Sequence, residues 1–243
     1  MARQKHNRLR TVTQTVILAC LLSDACADTE TSRNTLQIES TNAQTSEPNV
    51  PDLAVKRAGL PKVAVLGDSI GAGQFLSEPQ AFPSVVEREL RALGKNIVLI
   101  NASVRDDTTA DGLRRVDWLL RQKPNVVLVE LGENDKSQAV PVREVEANLR
   151  AILTKVKAAG AQVLLLGVSG EPDRSAGDVA YAHELAAIYP RIAAELSVSF
   201  VPFLQGVAGR RELTLPDGVH PTPEGHERIA GHLLDPLRLL LSK

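Results

Sequence analysis

Four polar residues in this sequence have types and spacings that could carry out nucleophilic chemistry. Ser69 follows an apolar run and lies among glycines. Asp217 and His220 are three residues apart, so a single turn could hold a carboxylate against an imidazole. Asn134 carries an amide, which donates hydrogen bonds without carrying a charge. Together these groups could supply a nucleophile, a base, an acid that orients the base, and a donor to an oxyanion.

Each of these residues also has an ordinary structural explanation. Ser69 could cap a helix that follows a strand, and Asn134 could be a turn residue. Thr222 and Pro223 are typical of the start of a helix, so the preceding loop could serve only as a cap. Capping, however, does not require His220. The chemical interpretation therefore depends on whether the fold brings the four residues together.

The sequence from residue 60 onwards alternates between short apolar runs and amphipathic segments. We predict strands at the apolar runs 63–66, 97–100, 126–129, 163–166 and 198–201. The segments around them have helical spacing, and Gly160 is expected to end the helix that covers 142–156. This alternation predicts one three-layer α/β domain with a five-stranded parallel sheet. Ligands bind beyond the carboxyl ends of such strands, where the polar loops are expected to meet.

Composition excludes several other classes of function. The 243-residue chain has a net charge of −1, which gives no indication of a nucleic-acid partner. No apolar stretch reaches the length that spans a bilayer. Both cysteines, Cys20 and Cys26, lie near the N-terminus, so neither a disulfide framework nor a Cys–His metal cluster is expected. The glycines near Ser69 lack dinucleotide-binding spacing, and we expect no metal and no cofactor.

The N-terminal segment of residues 1–27 has the pattern of an export signal. Four basic residues precede an apolar run over 16–22, and Ala25-Cys26-Ala27 matches the usual cleavage pattern. The alternatives are a disordered basic tail and lipidation of Cys26, although residues 23–25 match a lipoprotein signal poorly. Cleavage after Ala27 would leave 24 basic and 28 acidic residues, a net charge of −4.

Residues 28–59 are predicted to be a flexible linker, because they are rich in Thr, Ser, Asn, Gln and Glu and have no sustained apolar period. The four candidate catalytic residues all lie in the predicted domain of residues 60–243. A linker behind an export signal suits a periplasmic or secreted protein. It is also compatible with peripheral or lipid-anchored association with a membrane.

The predicted domain resembles the SGNH hydrolase superfamily, also called GDSL esterases and lipases, over residues 61–240. Residues 67–70, Gly-Asp-Ser-Ile, are similar to the first sequence block of the family, 132–135 to its third and 217–220 to its fifth. The resemblance is strongest to the bacterial thioesterase I, lysophospholipase L1 and arylesterase group, on the stretches 101–103, 129–132, 187–190 and 216–220. It implies a flavodoxin-like sheet of strand order 2-1-3-4-5. It also implies a triad of Ser69, Asp217 and His220, with Asn134 as an oxyanion donor.

The sequence departs from the family pattern in three places. The second block usually carries a glycine whose N–H completes the oxyanion hole, and Asp106 stands at this position. Its N–H can still donate, but a nearby carboxylate would oppose a developing negative charge. Glu133 replaces a small residue beside Asn134, and residues 136–138 replace a stretch that usually contains glycine. These changes add bulk and charge around the site but leave the triad whole. We therefore expect an active but slowed hydrolase, with Ser69, Asp106 and Asn134 as oxyanion donors.

These observations lead us to interpret the chain as an exported serine esterase that hydrolyses carboxylic esters or thioesters through an acyl-enzyme. We expect a monomer acting on a small-molecule or lipid ester. A carbohydrate O-deacetylase would use the same triad in a polar, open cleft and stays an alternative. A degenerate SGNH-fold binding module with weak activity is a second alternative, because of Asp106 and Glu133. A flavin is disfavoured, since the loop after the first strand lacks the Ser/Thr-rich run that cradles phosphate.

Overall fold

The computed structural model describes residues 59–168 and 179–242. The predicted export signal of residues 1–27 lies outside the described residues, as does the predicted linker except for residue 59. Within the described ranges, none of the helices combines the length and apolar character that crossing a membrane requires.

Five strands and six α-helices follow one another along the described part of the chain, with two of the helices between the third and fourth strands. The strands are β1 (Lys62–Gly67), β2 (Val98–Asn101), β3 (Val126–Glu130), β4 (Gln162–Gly167) and β5 (Ser199–Pro202). The helices are α1 (Phe82–Ala92), α2 (Thr109–Leu120), α3 (Glu133–Ser137), α4 (Val142–Ala158), α5 (Val179–Leu196) and α6 (Pro223–Leu240). All five predicted strands are confirmed to within one residue at either end. The short helix α3 was expected to be a loop.

The strands form one parallel sheet in the order β2-β1-β3-β4-β5, which confirms the predicted order. In the register of this sheet, Val65 lies beside Asn101 of β2, and Gly67 lies beside Glu130 of β3. Strand β3 is buried along its whole length, as its unbroken apolar run predicts for a central parallel strand. The carboxyl ends of β1, β2 and β3 therefore lie next to one another, and the loops that follow them share one edge.

Two apolar clusters cover the two faces of the sheet and confirm the three-layer architecture. Val63 and Val65 of β1 face the cluster that contains α1 and α6. Ala64 and Leu66 face the cluster that contains α2, α4 and α5. Successive side chains of a strand point to opposite faces, so a strand buried on both faces must be apolar throughout. This packing fixes the position of β1 and thereby of the turn that follows it.

His226 of α6 holds the start of α1. Its Nδ1 accepts a hydrogen bond from the N–H of Phe82 at 3.0 Å, and its ring stacks on the Phe82 ring with a centroid separation of 6.2 Å. Phe82 begins α1 after Ala81, which has no side chain that could cap the helix. Burial lowers the pKa of His226 to about 4, and a positive charge on His220 acts in the same direction. The folded protein therefore holds His226 in its neutral form.

We expect the protein to lose stability in acid because unfolding lets His226 take up a proton. The pKa is about 4 in the folded state and 6.5 in a model peptide, so the unfolded chain binds more protons between these values. The contribution of His226 to the free energy of unfolding should fall by about 3 kcal/mol as the pH drops through this range. Urea denaturation at a series of pH values measures it.

The matched variant for this measurement is His226→Asn, which keeps an acceptor oxygen for the Phe82 N–H but does not titrate. The variant should be less stable at pH 8, because it loses the ring stacking, and should show a shallower loss of stability between pH 6.5 and 4. Identical acid slopes in the two proteins would contradict the role given to His226.

Candidate active site

Ser69 lies in a tight turn of residues 68–76 that directly follows β1, hereafter the Ser69 turn. Backbone hydrogen bonds close it, from Ala72 N to Asp68 O at 2.9 Å and from Gln74 N to Ser69 O at 2.9 Å. Ser69 is largely buried, and its own N–H donates to no group in the described residues. The turn thus holds a hydroxyl and an unused N–H donor together at the end of a central strand.

The loop between β5 and α6 brings the predicted base to this hydroxyl. Nε2 of His220 lies 3.0 Å from Oγ of Ser69, and Nδ1 lies 2.7 Å from Oδ2 of Asp217. Oδ1 of Asp217 accepts hydrogen bonds from the N–H groups of Val219 at 2.9 Å and His220 at 3.0 Å. One carboxylate oxygen therefore fixes the turn while the other orients the imidazole. The structure brings together the three residues of the predicted triad.

These hydrogen bonds also determine the charge of Asp217. Its partial burial acts to raise its pKa, but the N–H groups of Val219 and His220 and the ring of His220 together hold the pKa of Asp217 below its usual value. The carboxylate stays ionised near neutral pH. A negative charge beside Nδ1 fixes the tautomer in which Nε2 can accept a proton from Ser69.

Asn134 lies in α3, four residues beyond the end of β3. Its Nδ2 donates a hydrogen bond to Asp107 O at 3.0 Å, which orients the amide and leaves its second hydrogen for another acceptor. The neighbouring Asp135 accepts hydrogen bonds from the N–H and the hydroxyl of Thr109 at 2.8 and 2.7 Å. Thr109 is the first residue of α2, so Asp135 ties α3 to the loop that precedes α2.

Asp106 lies in that same loop and has a φ of 65°, in the left-handed region. Asp is one of the few residues besides glycine that tolerate this conformation. Its N–H donates to no group in the part of the chain that the structure describes. The residue is exposed, so water screens its carboxylate. A backbone donor is therefore retained where the family usually has glycine.

Glu130, the last residue of β3, organises the Ser69 turn, and the sequence analysis missed it. Its buried Oε2 accepts hydrogen bonds from the N–H groups of Asp68 and Gly71, both at 3.1 Å. These two residues lie on either side of Ser69 in the chain. A Cβ at position 71 would lie 2.8 Å from Oε2 of Glu130, so glycine lets the turn close onto the carboxyl group. The one signal in the sequence was a charged residue at the end of an apolar run.

Glu130 and Asp68 form a buried pair of carboxyl groups. Burial raises the pKa of Asp68 to about 7, despite the hydrogen bond that it accepts from Ile70 N at 3.0 Å. Burial and repulsion from Asp68 raise the pKa of Glu130 well above its usual value. The two carboxyl groups therefore resist being ionised together. Less negative charge near Ser69 favours formation of an oxyanion there.

Arg115 of α2 links the ends of β1 and β2, and it was also missed. Its Nη2 donates to Gly67 O at 2.8 Å, its Nη1 donates to Ala102 O, and its Nε pairs with Oδ2 of Asp107 at 2.5 Å. Because Asp107 O accepts the hydrogen bond from Asn134, this guanidinium holds three of the site loops in one network.

The charges expected around the site form a buried ion pair instead. Nζ of Lys136 lies 2.5 Å from Oε2 of Glu133, and the side chains are only 3% and 10% exposed. The charges that the sequence adds at these two positions are thus paired with each other within α3. As for metal binding, no group of three or more His, Cys, Asp and Glu side chains in residues 59–168 and 179–242 could hold an ion.

The chain is similar in sequence and in fold to several known proteins. Residues 65–228 match the model of the GDSL-like Lipase/Acylhydrolase family. The chain is 34% identical over 171 residues to an arylesterase of Vibrio mimicus, covering 70% of this chain and 84% of the relative. It is 32% identical over 192 residues to thioesterase 1/protease 1/lysophospholipase L1 of Escherichia coli (strain K12), covering 78% and 89%. The crystal structure of TesA matches with a TM-score of 0.69 at 32% identity, covering 74% and 99%.

Replacing Glu130 should separate its hydrogen-bonding role from its titration. Glu130→Ala leaves the N–H groups of Asp68 and Gly71 buried without an acceptor, and we expect it to lower the free energy of unfolding by about 1–3 kcal/mol. Glu130→Gln keeps an acceptor oxygen, so its loss should be smaller. Urea denaturation and amide hydrogen exchange at Gly71 measure both effects.

The pH dependence of the free energy of unfolding supplies a second measurement of the role of Glu130. Because folding raises the pKa of Glu130, the folded protein binds more protons than the unfolded chain above the usual value of 4.5, and its stability falls as the pH rises. Glu130→Gln should lack this part of the slope. Equal destabilisation by Gln and Ala, with unchanged exchange at Gly71, would contradict the anchoring role.

Proposed function

Because the chain belongs to the GDSL-like lipase/acylhydrolase family of serine esterases, we propose that Ser69, His220 and Asp217 are the triad with which it hydrolyses carboxylic esters or thioesters. The continuous hydrogen-bond chain from Asp217 through His220 to Ser69, at 2.7 and 3.0 Å, carries the proposal. The 3.0 Å distance from Nε2 to Oγ allows direct proton transfer, and the 2.7 Å distance lets the Asp217 carboxylate orient the imidazole. A protein that kept this fold only as a binding module would have no need of such a chain.

Acylation begins when Ser69 attacks the carbonyl carbon of the ester. Nε2 of His220 takes the proton from Oγ as the Oγ–carbon bond forms, and the carbonyl electron pair moves to the oxygen. The tetrahedral intermediate collapses by breaking the bond from carbon to the leaving oxygen or sulfur. His220 gives its proton to the departing alcohol or thiol, and the acyl group stays on Ser69. Asp217 stabilises the imidazolium that exists between these two transfers.

Deacylation repeats the sequence with water as the nucleophile. Nε2 of His220 takes a proton from water as the water oxygen bonds to the acyl carbon. The bond between that carbon and Oγ then breaks, and Ser69 recovers a proton from His220. A carboxylic acid leaves and loses its proton to solvent, and the enzyme returns to its starting state without a metal or a cofactor.

The oxyanion formed in both steps needs hydrogen-bond donors, and we assign this role to the N–H groups of Ser69 and Asp106 and to the amide of Asn134. Support comes from the two N–H groups, which have no acceptor among the described residues, and from the remaining amide hydrogen of Asn134. Solvent around Asp106 weakens the repulsion from its carboxylate. We therefore expect the departure from glycine to slow turnover and not to abolish it.

Small-molecule esters are the expected substrates, and we infer that lipid esters are included. The relatives bear the names arylesterase and thioesterase 1/protease 1/lysophospholipase L1, so aryl esters, thioesters and lysophospholipids are all candidates. We infer from the pattern of residues 1–27 that the protein acts in the periplasm or outside the cell. Separately, we expect it to act as a monomer. A lipid anchor at Cys26 is the alternative to cleavage after Ala27.

Two variants test the proposal, with wild type assayed on p-nitrophenyl esters of increasing chain length, acyl-CoA thioesters and acetylated sugars. Ser69→Ala should lower kcat by about 10³-fold or more, because it removes the nucleophile. Asn134→Ala should lower kcat by roughly 10²–10³-fold with a smaller change in KM, because its amide acts on the oxyanion.

The substrate panel separates the alternatives. Activity confined to acetylated sugars would favour the O-deacetylase, and wild type without activity on any substrate would favour the binding module. Full activity in Ser69→Ala would refute the triad.

A further inference from the structure

Phe75, at the end of the Ser69 turn, combines two unfavourable features. Its φ is 67°, in the left-handed region that bulky L-residues rarely adopt. Its side chain is 67% exposed, so the ring gains little from burial. The backbone on either side is held by hydrogen bonds from Gln74 N to Ser69 O and from Leu76 N to Gly73 O, both at 2.9 Å. The turn that presents the nucleophile therefore also imposes this conformation on Phe75.

The ring of Phe75 contacts the base of the triad. Its centroid lies 5.3 Å from that of the His220 ring, and the two planes are at 90°. An edge-to-face pair of this kind contributes about 0.5–1.5 kcal/mol, whereas a left-handed conformation costs about 1–2 kcal/mol for an L-residue. The two ranges overlap, so the contact with His220 at best balances the strain, and it leaves the exposure of the ring uncompensated. Strained residues of this kind cluster where a protein meets its ligand, and the free face of this ring is available for such a contact.

The position of the ring indicates which part of a substrate it would meet. During acylation the leaving oxygen or sulfur must come within hydrogen-bonding distance of Nε2 of His220, because that nitrogen supplies its proton. The acyl carbon, in contrast, lies at Ser69. Groups attached to the leaving atom therefore lie on the His220 side of the site, where Phe75 is found.

We infer that Phe75 forms a leaving-group subsite, which binds the aromatic ring of an aryl alcohol or aryl thiol as it departs. The inference rests on the proposed function and extends it, since it makes the leaving group a determinant of specificity beside the acyl chain. Stacking or edge contact with a flat apolar ring would bury the exposed face of Phe75. A small alkyl leaving group gains little from it.

Three esters that share the acetyl group test the subsite, namely 2-naphthyl, phenyl and ethyl acetate. The main variant is Phe75→Gly, which removes the ring and also relieves the backbone strain, so that it should fold. We expect the preference for 2-naphthyl over ethyl acetate, measured as the ratio of kcat/KM values, to fall about tenfold relative to wild type. Intrinsic differences in leaving-group reactivity cancel in this comparison between enzymes.

Two control variants complete the design. Phe75→Tyr keeps an aromatic ring and should retain the wild-type preference. Trp118→Ala removes another exposed aromatic side chain, on α2, and should leave the preference and the activity unchanged. The hydrolysis rate of the acetyl-enzyme, measured in single turnover, should be the same in Phe75→Gly and wild type, since no leaving group is present in that step.

The outcomes distinguish the subsite from a role in positioning His220. An equal loss on all three esters together with slower hydrolysis of the acetyl-enzyme would mean that Phe75 acts only through the imidazole, and would overturn the subsite. An unchanged preference in Phe75→Gly would overturn it as well, while full activity on ethyl acetate would leave the triad intact. Wild type that hydrolyses other substrates of the panel above but shows no preference for 2-naphthyl over ethyl acetate would overturn the subsite alone, and wild type inactive on every substrate would overturn both proposals.

Discussion

The hydrogen bond between His220 and Ser69 is the interaction on which the rest of this structure depends. It joins residues 151 positions apart in the chain, at 3.0 Å. The contact requires β1 to lie in the middle of the sheet and the loop before α6 to reach across to its carboxyl end. Apolar packing on both faces of β1 fixes the position of Ser69, and the hydrogen bonds of Asp217 fix the position of His220. Neither loop alone could hold a hydroxyl and an imidazole in this arrangement.

Burial of polar groups is the means by which this arrangement is kept rigid. Glu130 accepts two backbone hydrogen bonds beneath the Ser69 turn, and Arg115 joins the end of β1 to the loop that follows β2. Burying a carboxylate without a cation is costly, and this burial, together with repulsion from Asp68, raises the pKa of Glu130. The raised pKa disfavours a second negative charge beside the nucleophile. The buried carboxyl group of Glu130 thus both stabilises the Ser69 turn and favours an oxyanion beside Ser69.

The sequence was sufficient for the architecture and for the proximity of Ser69, His220 and Asp217, because apolar runs mark the strands and the polar residues directly follow or precede elements. It was not sufficient for α3, since five residues are too few to show a helical period. Glu130 and Arg115 were missed because their partners come from other strands and loops, which only the folded chain brings close. The pairing and burial of Glu133 and Lys136 were not predicted, since they depend on tertiary packing. The left-handed backbone of Phe75 likewise has no local signal in its residue type.

Labelling with a fluorophosphonate is the most direct measurement of whether the long-range contact activates the serine. Mass spectrometry of the labelled protein should find one phosphonyl group per chain, on Ser69. In His220→Ala, with the fold verified by circular dichroism, the second-order labelling rate should fall about 10²-fold or more, because the general base is gone. Labelling at another residue, or an unchanged rate in His220→Ala, would show that the bond between the two loops does not create a nucleophile.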